Sequence, residues 1–230
     1  MQKTILITGA NGNLGIAVVK LFLGNQWRVI AVDSKNDHLA FAASNVLFEW
    51  HAVNVADEKE ATAFIKDLIT KYGRIDAAAL LVGGFAMGNI ENTDASQIRQ
   101  MTTLNFDTAY HCSRLLFSTM MQHGSGRIVF TGARPALVAA QGKNMVAYAL
   151  SKSMLFTLAS MMNAEAKGKD VTASVIVPST IDTPANRSSM PDANPSDWVT
   201  PDQVAATIGF ICSDAGGPLR EMVYKVYNKA

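Results

Sequence analysis

Charge is what this chain has least of. Only 17% of its 230 residues are charged, and 20 Lys+Arg against 19 Asp+Glu leave a formal net charge of +1. No run of Lys or Arg occurs, so the clustered basic field that nucleic acid or an anionic membrane demands is missing, and neither is expected as a partner. Cysteine is nearly absent. Cys112 and Cys212 have no CxxC spacing and no flanking histidine cluster, and His38, His51, His111 and His123 are scattered. Neither a disulfide framework nor a metal is therefore expected, and both thiols read as small buried apolar side chains. Long apolar runs are missing as well. MQKTILITGA is broken by Thr4, Thr8 and Gly9 before a signal-peptide core forms, and no stretch approaches the roughly 20 residues that span a bilayer. A cytoplasmic location is the expectation. Linkers, internal repeats and low-complexity tracts are also lacking, so residues 1–230 are expected to form a single domain, within the range that α/β folds reach as one unit.

What the chain does have is 49% hydrophobic residues arranged in alternating short and long segments. TILIT (4–8), WRVIAVD (27–33), LFEWHAV (47–53), IDAAALLVG (75–83), RIVFTGA (127–133), TASVIVP (172–178) and EMVYKVY (221–227) read as strands. Between them lie helical patterns at 15–25, 58–73, 95–122 and 145–166. Strands apolar on both faces and alternating with helices predict a parallel sheet covered on both sides, a Rossmann-like doubly wound α/β fold. Residues 179–201, rich in Pro, Ser, Asn and Asp, read as one long loop of the sort that serves as a functional lid.

Two patterns carry chemistry. Gly9, Asn11, Gly12, Asn13, Leu14 and Gly15 fall directly between the first strand and the first helix. Glycines in that context allow a tight turn, bring backbone N–H groups close to a pyrophosphate and aim the helix N-terminus at its charge. Eighteen residues beyond Gly15, Asp33 closes the second strand, where a carboxylate accepts hydrogen bonds from an adenosine ribose diol and repels a 2′-phosphate. NAD(H) is favoured on that ground. Lys35 softens the preference, so NADP(H) stays open. The second pattern, Tyr148-Ala149-Leu150-Ser151-Lys152, places a phenol and an ammonium on one face of the helical segment at 145–166. A neighbouring cation is expected to stabilise the phenolate of a group whose ordinary pKa is about 10. Such a pair would donate a proton in reduction and accept one in oxidation.

Taken together these residues resemble the short-chain dehydrogenase/reductase (SDR) family over essentially the whole chain. The glycine turn, Asp33, Asn54-Val55, Val82-Gly83-Gly84, Asn105, Tyr148/Lys152 and Pro178 with Ile181 and Thr183 occur in that family's order. The resemblance implies that Asn54 and Val55 flank the adenine and that Gly83, Gly84, Pro178 and Ile181 line the cofactor. It further implies that Lys152 bonds the nicotinamide ribose, Thr183 holds the carboxamide and Asn105 anchors a proton-relay water. Tyr148, Lys152 and Asn105 would then be the catalytic set.

Three features depart from the family's common pattern. The glycine turn has Gly12 followed by Asn13, Gly83-Gly84 replaces Asn-Asn-Ala-Gly, and Gly132-Ala133 stands where a Ser-Ser pair is usual. That serine normally bonds a substrate carbonyl, and one such transition-state donor is worth roughly 3 to 4 kcal/mol. Thr131 would replace it only with a shifted backbone. The same departures, with a loop carrying Asp182-Thr183-Pro184, Asn186-Arg187 and Ser189-Met190-Pro191 before Trp198, are similar to the dihydropteridine reductase branch. A conjugated C=N acceptor has less need of a hydroxyl aimed at a ketone oxygen. The expected activity is therefore reduction of a small conjugated C=N or carbonyl substrate. The alternatives are a carbonyl/alcohol oxidoreductase of unrelated substrate or a catalytically weak dinucleotide-binding redox sensor.

Arg187, Met190 and Trp198 are candidates for closing over substrate. Met120, Met121, Met154, Met161 and Met162 sit on the two long helical segments. The resemblance implies that these segments pair subunits into a homodimer or homotetramer.

Overall fold

The computed structural model describes residues 2–229. The elements run β1 (Thr4–Thr8), α1 (Asn13–Gly24), β2 (Arg28–Val32), β3 (Phe48–His51), α2 (Glu58–Tyr72), β4 (Ala77–Leu80), α3 (Ala95–Thr102), α4 (Thr108–His123) and β5 (Ser125–Thr131). They continue with a short α5 (Ala139–Gly142), then α6 (Val146–Glu165), β6 (Asp170–Pro178), α7 (Pro184–Ser189), α8 (Pro201–Cys212) and β7 (Val223–Val226). All seven strands join one parallel sheet in the order β3-β2-β1-β4-β5-β6-β7. The direction of winding reverses between β1 and β4, and in an open α/β sheet ligands bind beyond the strand ends at that reversal.

Strand alternation divides the core in two. Ile5 and Ile7 of β1 pack with Val18 and Phe22 of α1 and Val204 and Ile208 of α8. Leu6, between them, faces a cluster with Ile65 of α2, Leu116 of α4 and Leu155 of α6. Both faces of β1 are buried, which is why TILIT contains no polar residue except the two threonines at its ends.

The helix starts are written locally. The Asp57 side chain accepts from Lys59 N and Glu60 N at the start of α2. Capping boxes of Asp94 with Gln97 and of Thr200 with Gln203 start α3 and α8.

The structure corrects the sequence reading in three places. The pattern at 95–122 is not one regular helix: α3 and α4 are joined by a π-helical turn at Thr103–Asp107. The segment 179–201 is not wholly loop, because α7 and a 3-10 turn at Pro195–Asp197 lie within it. Helix α8 was read as no element at all, although Thr200-Pro201 followed by Gln203 is a legible start signal. Cys112 and Cys212 are free and buried, and burial pushes both thiols up to about 12.

Candidate active site

At the strand reversal, the glycine turn closes against β4. Gly9 has φ +68°, and a Cβ there would stand 3.0 Å from the backbone nitrogen of Val82. At Gly15 a Cβ would fall 2.1 Å from the Gly9 carbonyl oxygen. Only glycine is accommodated at either position, and the result is a shallow cradle of backbone at the head of α1. Gly12, extended at φ −76°, precedes that helix, and no side chain caps it. The first-turn N–H groups therefore keep their capacity to bind an anion, with the helix dipole behind them. Gly12 and Asn13 are exposed and Leu14 is half-buried. Beside this cradle the Asp33 carboxylate accepts from Asn11 N at 3.0 Å and from Ser34 N at 2.8 Å.

Asn54 and Val55 follow β3. The first is exposed, with its N–H donating to Glu60; the second is buried, with its carbonyl 3.1 Å from His111 Nδ1. On the other side of the reversal, Pro178 ends β6, and Ile181 bridges to Val199. Thr183 caps α7 by accepting from Asn186 N at 3.2 Å, which leaves its hydroxyl proton free to donate.

The π-helical turn turns Asn105 into the interior, where it is 0% exposed. Its Oδ1 accepts from Gly84 N at 2.8 Å and its Nδ2 donates to Ser151 Oγ at 3.0 Å, while Ser151 Oγ donates to the Tyr148 carbonyl at 2.9 Å. One side chain thus fastens the segment following β4 to the helix that carries Tyr148 and Lys152. Gly83 must be glycine because a Cβ would stand 2.7 Å from Asn105 Oδ1 and 2.9 Å from Lys152 Nζ. A single extra residue in a helix that would otherwise be regular is a frequent mark of a functional site.

Lys152 is 4% exposed and its ammonium donates to the Thr131 carbonyl at 2.8 Å. Burial pulls its pKa down to about 8 and pushes the Tyr148 phenol up to about 12. The expected acidification of Tyr148 by Lys152 is absent from this state, because the buried ammonium is directed at a backbone carbonyl. At neutral pH the phenol is therefore a proton donor. The ring of Phe85 meets that of Tyr148 edge-on, with centroids 5.1 Å apart.

At Gly132, one of the two residues where the usual serines are missing, a side chain would crowd its neighbours. A Cβ on Gly132 would lie 2.6 Å from Val175 and 2.9 Å from Phe156. Thr131 does not replace the serine. Strand alternation puts its side chain on the α1/α8 face with Val129, opposite α6, and its Oγ1 is buried without a partner.

The structure also settles the loop. Trp198 is buried at 7% exposure rather than poised over the site, and Arg187 forms two bonds to Asp182, at 2.6 and 2.7 Å. Met190 remains exposed. Two contributors went unnoticed in the sequence: Ser151, hidden inside the Tyr-Lys pattern, and Phe85, which no spacing rule singles out. The described residues contain no group of His, Cys, Asp or Glu arranged to hold a metal ion, and no described helix is long and apolar enough to cross a membrane.

A doubly wound parallel sheet, an uncapped helix head behind a glycine cradle and a tyrosine one helical turn from a buried lysine define a dinucleotide-dependent oxidoreductase. Residues 3–194 match the family model described as short chain dehydrogenase, and the chain belongs to that family. It is 30% identical over 210 residues to a dihydropteridine reductase of Dictyostelium discoideum, covering 89% of this chain and 85% of that protein. Among solved structures, an oxidoreductase of the short chain dehydrogenase/reductase family from Burkholderia thailandensis superposes with a TM-score of 0.85 at 26% identity, covering 98% of this chain and 91% of the other. ElxO with NADP bound gives 0.88 at 20% identity, covering 98% and 97%, a likeness of fold.

Proposed function

We propose that this oxidoreductase reduces a small conjugated C=N or carbonyl substrate, as a dihydropteridine reductase does, with NADH as the preferred donor. The observation that carries the reading is the Gly132-Ala133 pair just past the end of β5: neither residue carries a hydroxyl to present to a ketone oxygen. A C=N acceptor needs a proton at nitrogen rather than stabilisation of an oxyanion, so it tolerates that loss. The exposed face of Phe85, 58% accessible and in contact with Tyr148, offers an aromatic wall to a flat substrate. The 30% identity to a dihydropteridine reductase points the same way.

A nicotinamide cofactor, when bound, would supply the hydride. Tyr148 would donate its phenolic proton to the substrate, and Lys152 in its ammonium form would hold the nicotinamide ribose. Asn105 keeps Gly84 and the Tyr148 helix in fixed relation and would help anchor a relay water. Gly9, Asn11, Gly12, Asn13, Leu14 and Gly15 would cradle the pyrophosphate. Asp33 would take the adenosine ribose diol, Asn54 and Val55 would flank the adenine, and Gly83, Gly84, Pro178, Ile181 and Thr183 would line the nicotinamide half. The cradle that admits no Cβ and the paired bonds orienting Asp33 fit that assignment.

Leu150 and Met161 are exposed on α6, with Met154 half-buried between them, and Tyr110 is exposed on α4. This supports a homodimer or homotetramer paired through α4 and α6 within the cytoplasm, which light scattering of the purified protein tests.

Loss of NADH absorbance with quinonoid dihydropterin, ketones and quinones tests the activity. Turnover on the dihydropterin that Tyr148→Phe abolishes supports the reading. Turnover only on ketones or alcohols favours an oxidoreductase of unrelated substrate. Binding of NADH without turnover on any of them favours the redox sensor, the alternative that the missing serine supports.

A further inference from the structure

We infer that Asp37, fastened by the Asn11 side chain, is a second guard against a 2′-phosphate beside Asp33, so that discrimination between NADH and NADPH depends on two carboxylates rather than one. The inference rests on the cofactor reading above. Its basis is a clasp between the glycine turn and the segment that follows β2. Asn11 donates its backbone N–H to Asp33 Oδ2 at 3.0 Å and its side-chain Nδ2 to Asp37 Oδ1 at 2.7 Å. Its Oδ1 accepts from His38 N at 2.9 Å. One asparagine in the cofactor cradle therefore holds both carboxylates. The bond from Asn11 is the largest influence keeping the Asp37 carboxyl below its ordinary value, so Asp37 stays charged.

The segment is not free to swing away. Leu39 is buried at 2% exposure, its N–H donates to the Asn36 carbonyl, and a 3-10 turn at Ala40–Ala42 follows directly. Between a buried leucine and a two-point clasp, Asp37 is held close to the ribose-binding carboxylate. Lys35 and His38 lie in the same segment, and no carboxylate pairs with Lys35 among the described residues. Lys35 alone would attract a 2′-phosphate, and Asp37 opposes it. On this inference a lysine two residues beyond Asp33 is compatible with selection against the phosphate. The anion carries close to two negative charges at neutral pH, so each fixed carboxylate beside it is felt strongly until salt screens it.

The test is titration of the protein with NADH and with NADPH, following nicotinamide fluorescence, at low and at physiological ionic strength. The wild type is expected to bind NADH more tightly. In Asp37→Asn the ratio of the NADPH Kd to the NADH Kd should fall about fivefold, and in Asp37→Lys further. Asn11→Ala keeps the backbone bond to Asp33 and loses only the clasp, so the ratio should fall there too, and each shift should shrink as salt rises. Asp37 is exposed, so neither of its substitutions threatens folding. A wild type that prefers NADH, with a ratio left unchanged by both Asp37 substitutions, overturns this inference and leaves the cofactor reading standing. A wild type that binds NADPH more tightly overturns both.

Discussion

The Lys152 ammonium donates to the carbonyl of Thr131, the last residue of β5, at 2.8 Å. The bond crosses from the helix that carries Tyr148 to the strand end where the family usually places a serine. It keeps a buried cation in position before any substrate arrives, while burial keeps Tyr148 protonated.

From this pair follows a pH dependence. Burial lowers Lys152 from 10.5 to about 8, so the ammonium proposed to hold the ribose is present below about 8 and lost as pH rises through it. In reduction, kcat/KM should fall above pH 8, since that parameter reports groups of the free enzyme. Lys152→Met should be far slower and should lack the descending limb. The same shift acts on stability with the opposite slope. Between about 8 and 10.5 the unfolded chain binds the proton and the folded one does not, so this group makes the protein more stable as pH rises across that window. Urea melts of wild type and Lys152→Met over that range check the difference.

Asn105 is the strongest structural test. Asn105→Ala strands the half-buried Gly84 N–H and removes the bond to Ser151, which should cost about 2 to 3 kcal/mol, whereas Ser151→Ala should cost about 1 kcal/mol. Equilibrium denaturation of the two variants separates them; equal losses would mean that the network is not anchored at Asn105.

Placing a serine at residue 132 should be costly. In Gly132→Ser the new Cβ meets Val175 and Phe156, an overpacking that costs about 1 to 3 kcal/mol, or a drop in Tm of about 2 to 12 °C for a chain of this size. Ketone reduction should not improve. A gain in ketone turnover without a loss in Tm would show that the site tolerates a hydroxyl after all.

Thr131→Val removes a buried hydroxyl that has no partner while keeping the β-branched shape and the carbonyl that Lys152 uses. Stability should rise by about 1 kcal/mol, because an unsatisfied polar group is exchanged for an apolar one. Thermal denaturation measures it, and turnover should be retained because the hydroxyl faces away from α6.

Much of this was legible in the chain. The glycine turn, Asp33 and the Tyr148/Lys152 pair are local patterns, each set by what a few consecutive residues can do, and the fold returned them to one end of a single sheet. The strands were legible for the same reason: in a parallel sheet both faces are buried, so a β-branched run needs no alternation to announce itself.

What the sequence determined by itself was therefore the doubly wound architecture, the glycine turn at the head of α1 and the absence of a serine at residues 132–133. Tertiary structure decided the rest, through contacts between segments far apart in the chain. The π-helical turn at Thr103–Asp107 exists because Asn105 bonds Gly84 and Ser151, 21 and 46 residues away, and no helical periodicity encodes that. The protonation of Tyr148 and Lys152 was decided by burial, which sequence spacing does not report; the ammonium found a carbonyl rather than the phenol. Trp198 went into the core rather than over the site because residues 181 and 199 pair. Spacing supplied the candidate groups, and desolvation together with long-range hydrogen bonds determined how each was held.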